Sequence, residues 1–117
     1  MSEPTSFRRH TDKIRTAIHN LPPVLTHKAD VSIKVAPNST ITQDRDGGFS
    51  LKLYDTVIVR RSRATTYVDT GGHETATTMV WILSALEALG LPNMGTRAGG
   101  VFEVNDIQVD GLTQVAE

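Results

Sequence analysis

No cysteine occurs in the 117-residue chain. That excludes disulfide staples, thiolate zinc sites and cysteine nucleophiles, and it suits a cytoplasmic protein. Aromatic residues make up only 5% of the total, so Trp81, Tyr54, Tyr67 and three phenylalanines are the few large anchors for a core. No stretch approaches the roughly 18 uninterrupted apolar residues that span a bilayer. Residues 1–20 are polar and charged, without the apolar centre of a signal peptide. A soluble, unsecreted, cytoplasmic protein with no membrane partner is therefore expected. Charge of one sign is missing too: twelve Lys and Arg face thirteen Asp and Glu, for a net charge of -1. This excludes a globally basic nucleic-acid coat but leaves room for a local basic patch.

Hydrophobic residues make up 38% of the chain, enough for the core of one domain, expected over residues 1–112 with 113–117 as a disordered tail. Residues 4–21 read as a helix: Phe7, Ile14, Ile18 and Leu21 fall near one face, and arginines and Lys13 occupy the others. Either Pro4 sits in its first turn, or Thr5 or Ser6 caps a slightly later start. Pro22-Pro23 ends it. From Val31 the period changes to two. Val31, Ile33 and Val35 alternate with polar residues, Thr40–Thr42 and Phe49–Leu53 follow beyond turns, and Val57–Val59 and Thr65–Val68 continue the pattern. Short strands in succession predict an antiparallel meander.

Gly71-Gly72 interrupts the strands, and a helix is expected over 75–89. Its stripe is Ala76, Met79, Ile82, Leu83, Leu86 and Leu89, widened by Trp81 and Ala85, and Gly90 with Leu91-Pro92 provides the stop. Residues 93–100 read as a loop. Val101–Val104 and Ile107–Val109 read as a hairpin about Asn105-Asp106. The resulting expectation is an α+β fold: an antiparallel sheet of about five strands, one long helix packed on a face, and an N-terminal helix. The other sheet face would be exposed, as in chains that form a homodimer or higher oligomer.

The segment from Thr70 to Thr78 joins a strand to the start of that helix. Such a junction offers backbone N–H groups and the positive end of the helix dipole to an anion. Gly71 and Gly72 permit close approach, and Thr75, Thr77 and Thr78 supply hydroxyl donors beside His73. Glu74 works against an anion, and a glycine turn followed by threonine caps accounts for the same residues. The lysine of a phosphate-binding GxxxxGK[ST] loop is missing. His73-Glu74 begins a zincin-like pattern, but Thr77 stands where its second histidine is needed, and His10, His19 and His27 are scattered. No metal or cofactor is expected.

Arg60, Arg61 and Arg63 form the densest basic run. Only Arg61 and Arg63 share a strand face, and with Arg45, Lys52 and Arg97 they can assemble a phosphate-binding surface or simply charge an edge strand. Tyr54 and Tyr67 are either base-stacking platforms or half-buried sheet residues. Ser62, Ser84, His73, Asp69 and Glu74 permit several imagined catalytic sets, and their spacing selects none.

The stretch from Tyr54 to Leu89 resembles a group of small bacteriophage proteins. In them a T-V-I-V-R-like strand and a second strand lead into a GG-x-x-T-x-T-T junction and a helix. The matching residues are Thr56–Arg60, then Gly71, Gly72, Thr75, Thr77 and Thr78, about a third of the chain. His73 departs from a common tryptophan and Met79 from a common basic residue. The resemblance implies a phage accessory protein of the host cytoplasm acting on nucleic acid or host defence. The leading expectation is a non-enzymatic protein that binds a nucleotide or nucleic acid through Gly71, Gly72, His73, Thr75, Thr77, Thr78, Arg61 and Arg63. The alternatives are a protein–protein inhibitor of a host enzyme and a small hydrolase.

Overall fold

The computed structural model describes residues 5–22, 29–62, 64–99 and 101–116. Helix α1 spans Thr5–Asn20. Thr11, Ile14 and Ala17 are buried at helical spacing, with Ile18 beside them, while Arg9, Asp12, Lys13 and Arg15 face outward. Five strands follow in a meander: β1 Val31–Ala36, β2 Ser39–Gln43, β3 Phe49–Leu53, β4 Thr56–Ser62 and β5 Thr65–Val68. Helix α2 covers Ala76–Ala88. Strands β6 Gly95–Ala98, β7 Val101–Val104 and β8 Ile107–Gln108 come next, and β9 Thr113–Ala116 ends the described chain.

All pairings are antiparallel. One sheet has the order β1-β2-β3-β4-β5-β9, and a smaller one has the order β6-β7-β8. Register explains the two faces of the larger sheet. Ile33, Ile41, Leu51, Val59 and Val68 pair in one cross-strand row, and from Ile41 onward each is buried. The residues just before or after them form a polar row, Ser32, Thr42, Ser50, Arg60, Tyr67 and Gln114. Period-two alternation thus puts the apolar row under the helices and the polar row on the opposite face.

Helix α2 packs against α1, β4 and β6. Its buried residues, Thr78, Met79, Trp81, Ile82, Ser84, Ala85 and Leu86, leave little polar surface, because partners lie on several sides. Thr75 caps its start. Its end is a Schellman motif, in which the Gly90 N–H donates to Glu87 O at 2.9 Å and the Leu91 N–H to Leu86 O at 2.9 Å. Strand β6 approaches closely because residue 95 is glycine: a Cβ there would lie 2.4 Å from Met79 Sδ and 3.0 Å from Leu83. The β7–β8 turn carries Asn105 and Asp106 at φ 52° and 66°, the left-handed pair of a type I′ hairpin.

Several expectations are corrected. The larger sheet has six strands rather than five, and a second sheet exists. The two helices are of comparable length, with α1 the longer at 16 residues against 13. The segment 93–100, expected as a loop, contains β6, whose sequence Gly-Thr-Arg-Ala has no alternation to announce it. The expected disordered tail over 113–117 is instead strand β9 over Thr113–Ala116, paired with β5 and burying Val115; Glu117 lies outside the described residues. Among the described residues no helix is long and apolar enough to cross a membrane.

Candidate functional site

The strand-to-helix junction singled out in the sequence is one wall of a cleft of about 430 Å³. Thr70, His73, Thr75, Thr77 and Thr78 line it from the junction, and Leu53, Tyr54, Asp55, Thr56 and Ile58 line it from β3, β4 and the turn between them. That volume is within the range of small-molecule sites, roughly 300–1,000 Å³. Leu53 and Ile58 are buried and form an apolar floor. Ile58 faces inward because a bulge in the β3–β4 pairing shifts the register between Leu51 and Lys52, so that Ile58 and Val59 are buried in succession.

The two walls meet at Gly71 and Thr56. Gly71 adopts φ +60°, and a Cβ on it would stand 2.6 Å from Thr56 Cγ2 and 2.8 Å from Thr56 Oγ1. Only glycine combines that dihedral with that proximity. Across the cleft, the Leu53–Thr56 pair closes a two-residue turn in which Tyr54 carries φ 53°. Left-handed φ is uncommon for a bulky aromatic and belongs to the strained conformations that gather at binding sites. The Tyr54 N–H donates to Asn38 O at 2.7 Å and its hydroxyl accepts from Asn38 Nδ2 at 3.2 Å, which fixes the turn while 66% of the residue stays exposed.

The expected cradle of open amides is largely filled by the chain itself. The Gly71 N–H donates to Asp69 Oδ1 at 2.8 Å and the Gly72 N–H to Thr70 Oγ1 at 3.3 Å. The His73 N–H donates to Thr70 O and the Thr75 N–H to His73 O, both at 2.9 Å. The Thr78 N–H donates to Thr75 Oγ1 at 3.2 Å, and the Met79 N–H to Thr75 O at 3.1 Å. Between Gly71 and Met79 only Glu74, Ala76 and Thr77 keep an amide without an acceptor among the described residues, two of them in the first helical turn, where any helix leaves donors over. Asp69, one of the residues from which catalytic sets could be imagined, serves as the turn's acceptor.

The arginines stand elsewhere. Strand β4 meets the Gly71 turn at Thr56 and carries Arg61 five residues further on, roughly 15 Å away at the rise of an extended strand. The Arg61 guanidinium donates to Thr66 Oγ1 at 2.6 Å. Arg63 lies outside the described residues. Arg97 is the cation that does reach the junction, donating to Glu74 O at 3.3 Å, but it borders a separate recess with Ala98, Gly99 and Phe102. Among the described residues no Lys or Arg lines the 430 Å³ cleft, whereas Asp55 does. The chemistry on offer is therefore hydroxyls, one imidazole, one carboxylate and an aromatic rim. It suits donors and flat rings better than phosphate.

Other candidates are structural. The buried Ser84 hydroxyl lies 2.6 Å from Val80 O and 3.2 Å from Phe7 O, joining the two helices rather than facing a cleft. No cluster of three or more His, Asp or Glu able to hold a metal occurs among the described residues. Sequence reading missed Asp55, Leu53 and Ile58 as cleft residues. The available signal was the break at Tyr54-Asp55 between two alternating segments, which marks a two-residue hairpin but not what it faces. Comparison with protein-family models, curated proteins and solved structures finds no match.

Proposed function

We propose that the chain is a non-enzymatic binding protein whose cleft takes an uncharged nucleoside-like molecule, a flat ring bearing hydroxyl and N–H groups. The observation that carries this reading is the composition of the lining: a strained, exposed Tyr54 at the rim, an apolar floor of Leu53 and Ile58, five threonines, His73 and Asp55, with no cation among them. A ring stacked on Tyr54 gains contact area and π-face complementarity. Ribose-type hydroxyls find acceptors in Asp55 and exchangeable partners in Thr75 and Thr77. Relative to the expected phosphate-bearing ligand, the proposal keeps the nucleoside and drops the phosphate, which would meet Asp55 in the cleft with no cation to offset it.

Isothermal titration of the intact protein with nucleosides and their 5′-monophosphates tests this. The nucleoside is expected to bind at least as tightly as its monophosphate, and Tyr54→Ala is expected to weaken it at least fivefold, about 1 kcal/mol of lost stacking. A monophosphate bound tenfold more tightly would restore the phosphate reading. Heat signals absent for every nucleoside at millimolar concentration would remove the proposal altogether.

A further inference from the structure

The second feature is the sheet face that the helices leave bare, and it owes nothing to the cleft. The strands β1, β2, β3, β4, β5 and β9 contain Lys34, Lys52, Arg60 and Arg61 and not one Asp or Glu. In a chain of net charge -1 this is a strong local segregation. Arg61 turns toward Thr66, but Lys34, Lys52 and Arg60 are exposed and enter no ion pair among the described residues. Register places them together. Lys34 pairs with Thr40 and Thr40 with Lys52, which sets the two lysines two strands apart, roughly 10 Å. In the adjacent row Ser50 pairs with Arg60 and Arg60 with Tyr67. The hydroxyls of Ser32 and Thr42, 2.8 Å apart, continue that row toward β1.

We infer that this face binds single-stranded nucleic acid. Three unpaired cations track a phosphate backbone, serine and threonine hydroxyls supply further donors, and half-buried Tyr67 offers a ring to one base. An exposed sheet face with a groove beside Tyr67 suits splayed bases more than the convex surface of a duplex. Charge also sets the path of the strand. Asp44 and Asp46, on the β2–β3 turn, border a groove of about 670 Å³ with Arg60, Ser62 and Tyr67. They repel phosphate at that end, so the backbone runs from Arg60 toward Lys52 and Lys34 while a base occupies the groove beside Tyr67.

The test is fluorescence anisotropy of a labelled oligothymidylate of about 12 nucleotides with the full chain, in about 50 and 200 mM salt. Three phosphate contacts on a single strand give a log–log salt slope near -2, so affinity is expected to fall roughly 15-fold over that range. The triple variant Lys34→Gln, Lys52→Gln, Arg60→Gln is expected to lose at least tenfold, and Tyr67→Leu at least fivefold, with circular dichroism unchanged because the three cations are exposed. Wild-type protein that fails to bind the oligonucleotide at low salt overturns the inference, as does a folded triple variant that binds like wild type. An affinity indifferent to salt overturns it equally, and would turn attention to a protein partner for this face.

Discussion

The imidazole of His10 stacks on the indole of Trp81, with ring centroids 3.7 Å apart and planes only 10° from parallel. The pair joins α1 to α2, and His10 Nδ1 is buried there with no hydrogen-bond partner among the described residues. Burial lowers the His10 pKa below its ordinary 6.5, and the positive charges of Lys13 and Arg9 lower it further. Folding therefore favours the neutral ring. The unfolded chain takes up the proton near pH 6.5 and the folded chain only below it, so the contribution is fully present above pH 6.5 and is lost as pH falls through the depressed value. A cation–π attraction between the protonated ring and Trp81 offsets part of that loss.

Thermal unfolding is accordingly expected to show a stability decline below pH 6.5 that His10→Phe, which stacks without titrating, diminishes. Trp81 is the single tryptophan, and a protonated imidazole quenches indole emission. Its fluorescence should drop in the same window in wild type and stay level in the variant. Identical pH profiles for the two proteins would contradict the account.

The Thr75 cap makes a second prediction. Its hydroxyl accepts the Thr78 N–H and lies 3.2 Å from the Thr78 hydroxyl. Thr75→Ala should remove about 1 kcal/mol. For a chain of this length that is a Tm decrease of about 4 °C. Thr75→Ser, which keeps the acceptor, should recover most of it.

Gly71→Ala is predicted to be more damaging. A non-glycine residue in the left-handed region adds roughly 1–2 kcal/mol, and the contact with Thr56 adds to that. Thr56→Ala in the Gly71→Ala background should return the steric part and leave the dihedral part. Calorimetry of the four proteins as a double-mutant cycle separates the two.

Gly95→Ala tests the seat of the small sheet. The new methyl would meet Met79 Sδ and the Leu83 methyls, flexible ends held in a packed core. A destabilisation of about 1–3 kcal/mol is expected from overpacking. If Met79 yields freely, the variant will unfold like wild type in denaturant, and close packing at this contact would be refuted.

Legibility in the sequence followed locality. Helix α2 was readable because its cap at Thr75, its apolar stripe and its Gly90 stop all lie within sixteen residues. The meander was readable from alternation, and the β7–β8 turn from Asn105-Asp106. Strand β9 was not, since Thr-Gln-Val-Ala carries little pattern and its partner β5 lies more than forty residues upstream. The site divided along the same line. His73, Thr75, Thr77 and Thr78 belong to one segment and were found together, whereas Tyr54 and Asp55 reach the cleft only through β3–β4 pairing. Whether the arginines meet the glycine turn is not legible in the sequence, because it depends on which end of the strand the turn packs against. A strand carries its two ends apart, and β4 points Arg60 and Arg61 away from the turn that Thr56 touches.

Amide chemical shifts of the isotope-labelled protein during a nucleoside titration test the central claim most directly. The account predicts shifts concentrated in residues 53–58 and 70–78, saturating with a single affinity and diminished by Tyr54→Ala. Shifts centred instead on Arg60 and Tyr67, or a spectrum unmoved by the nucleoside, would contradict it.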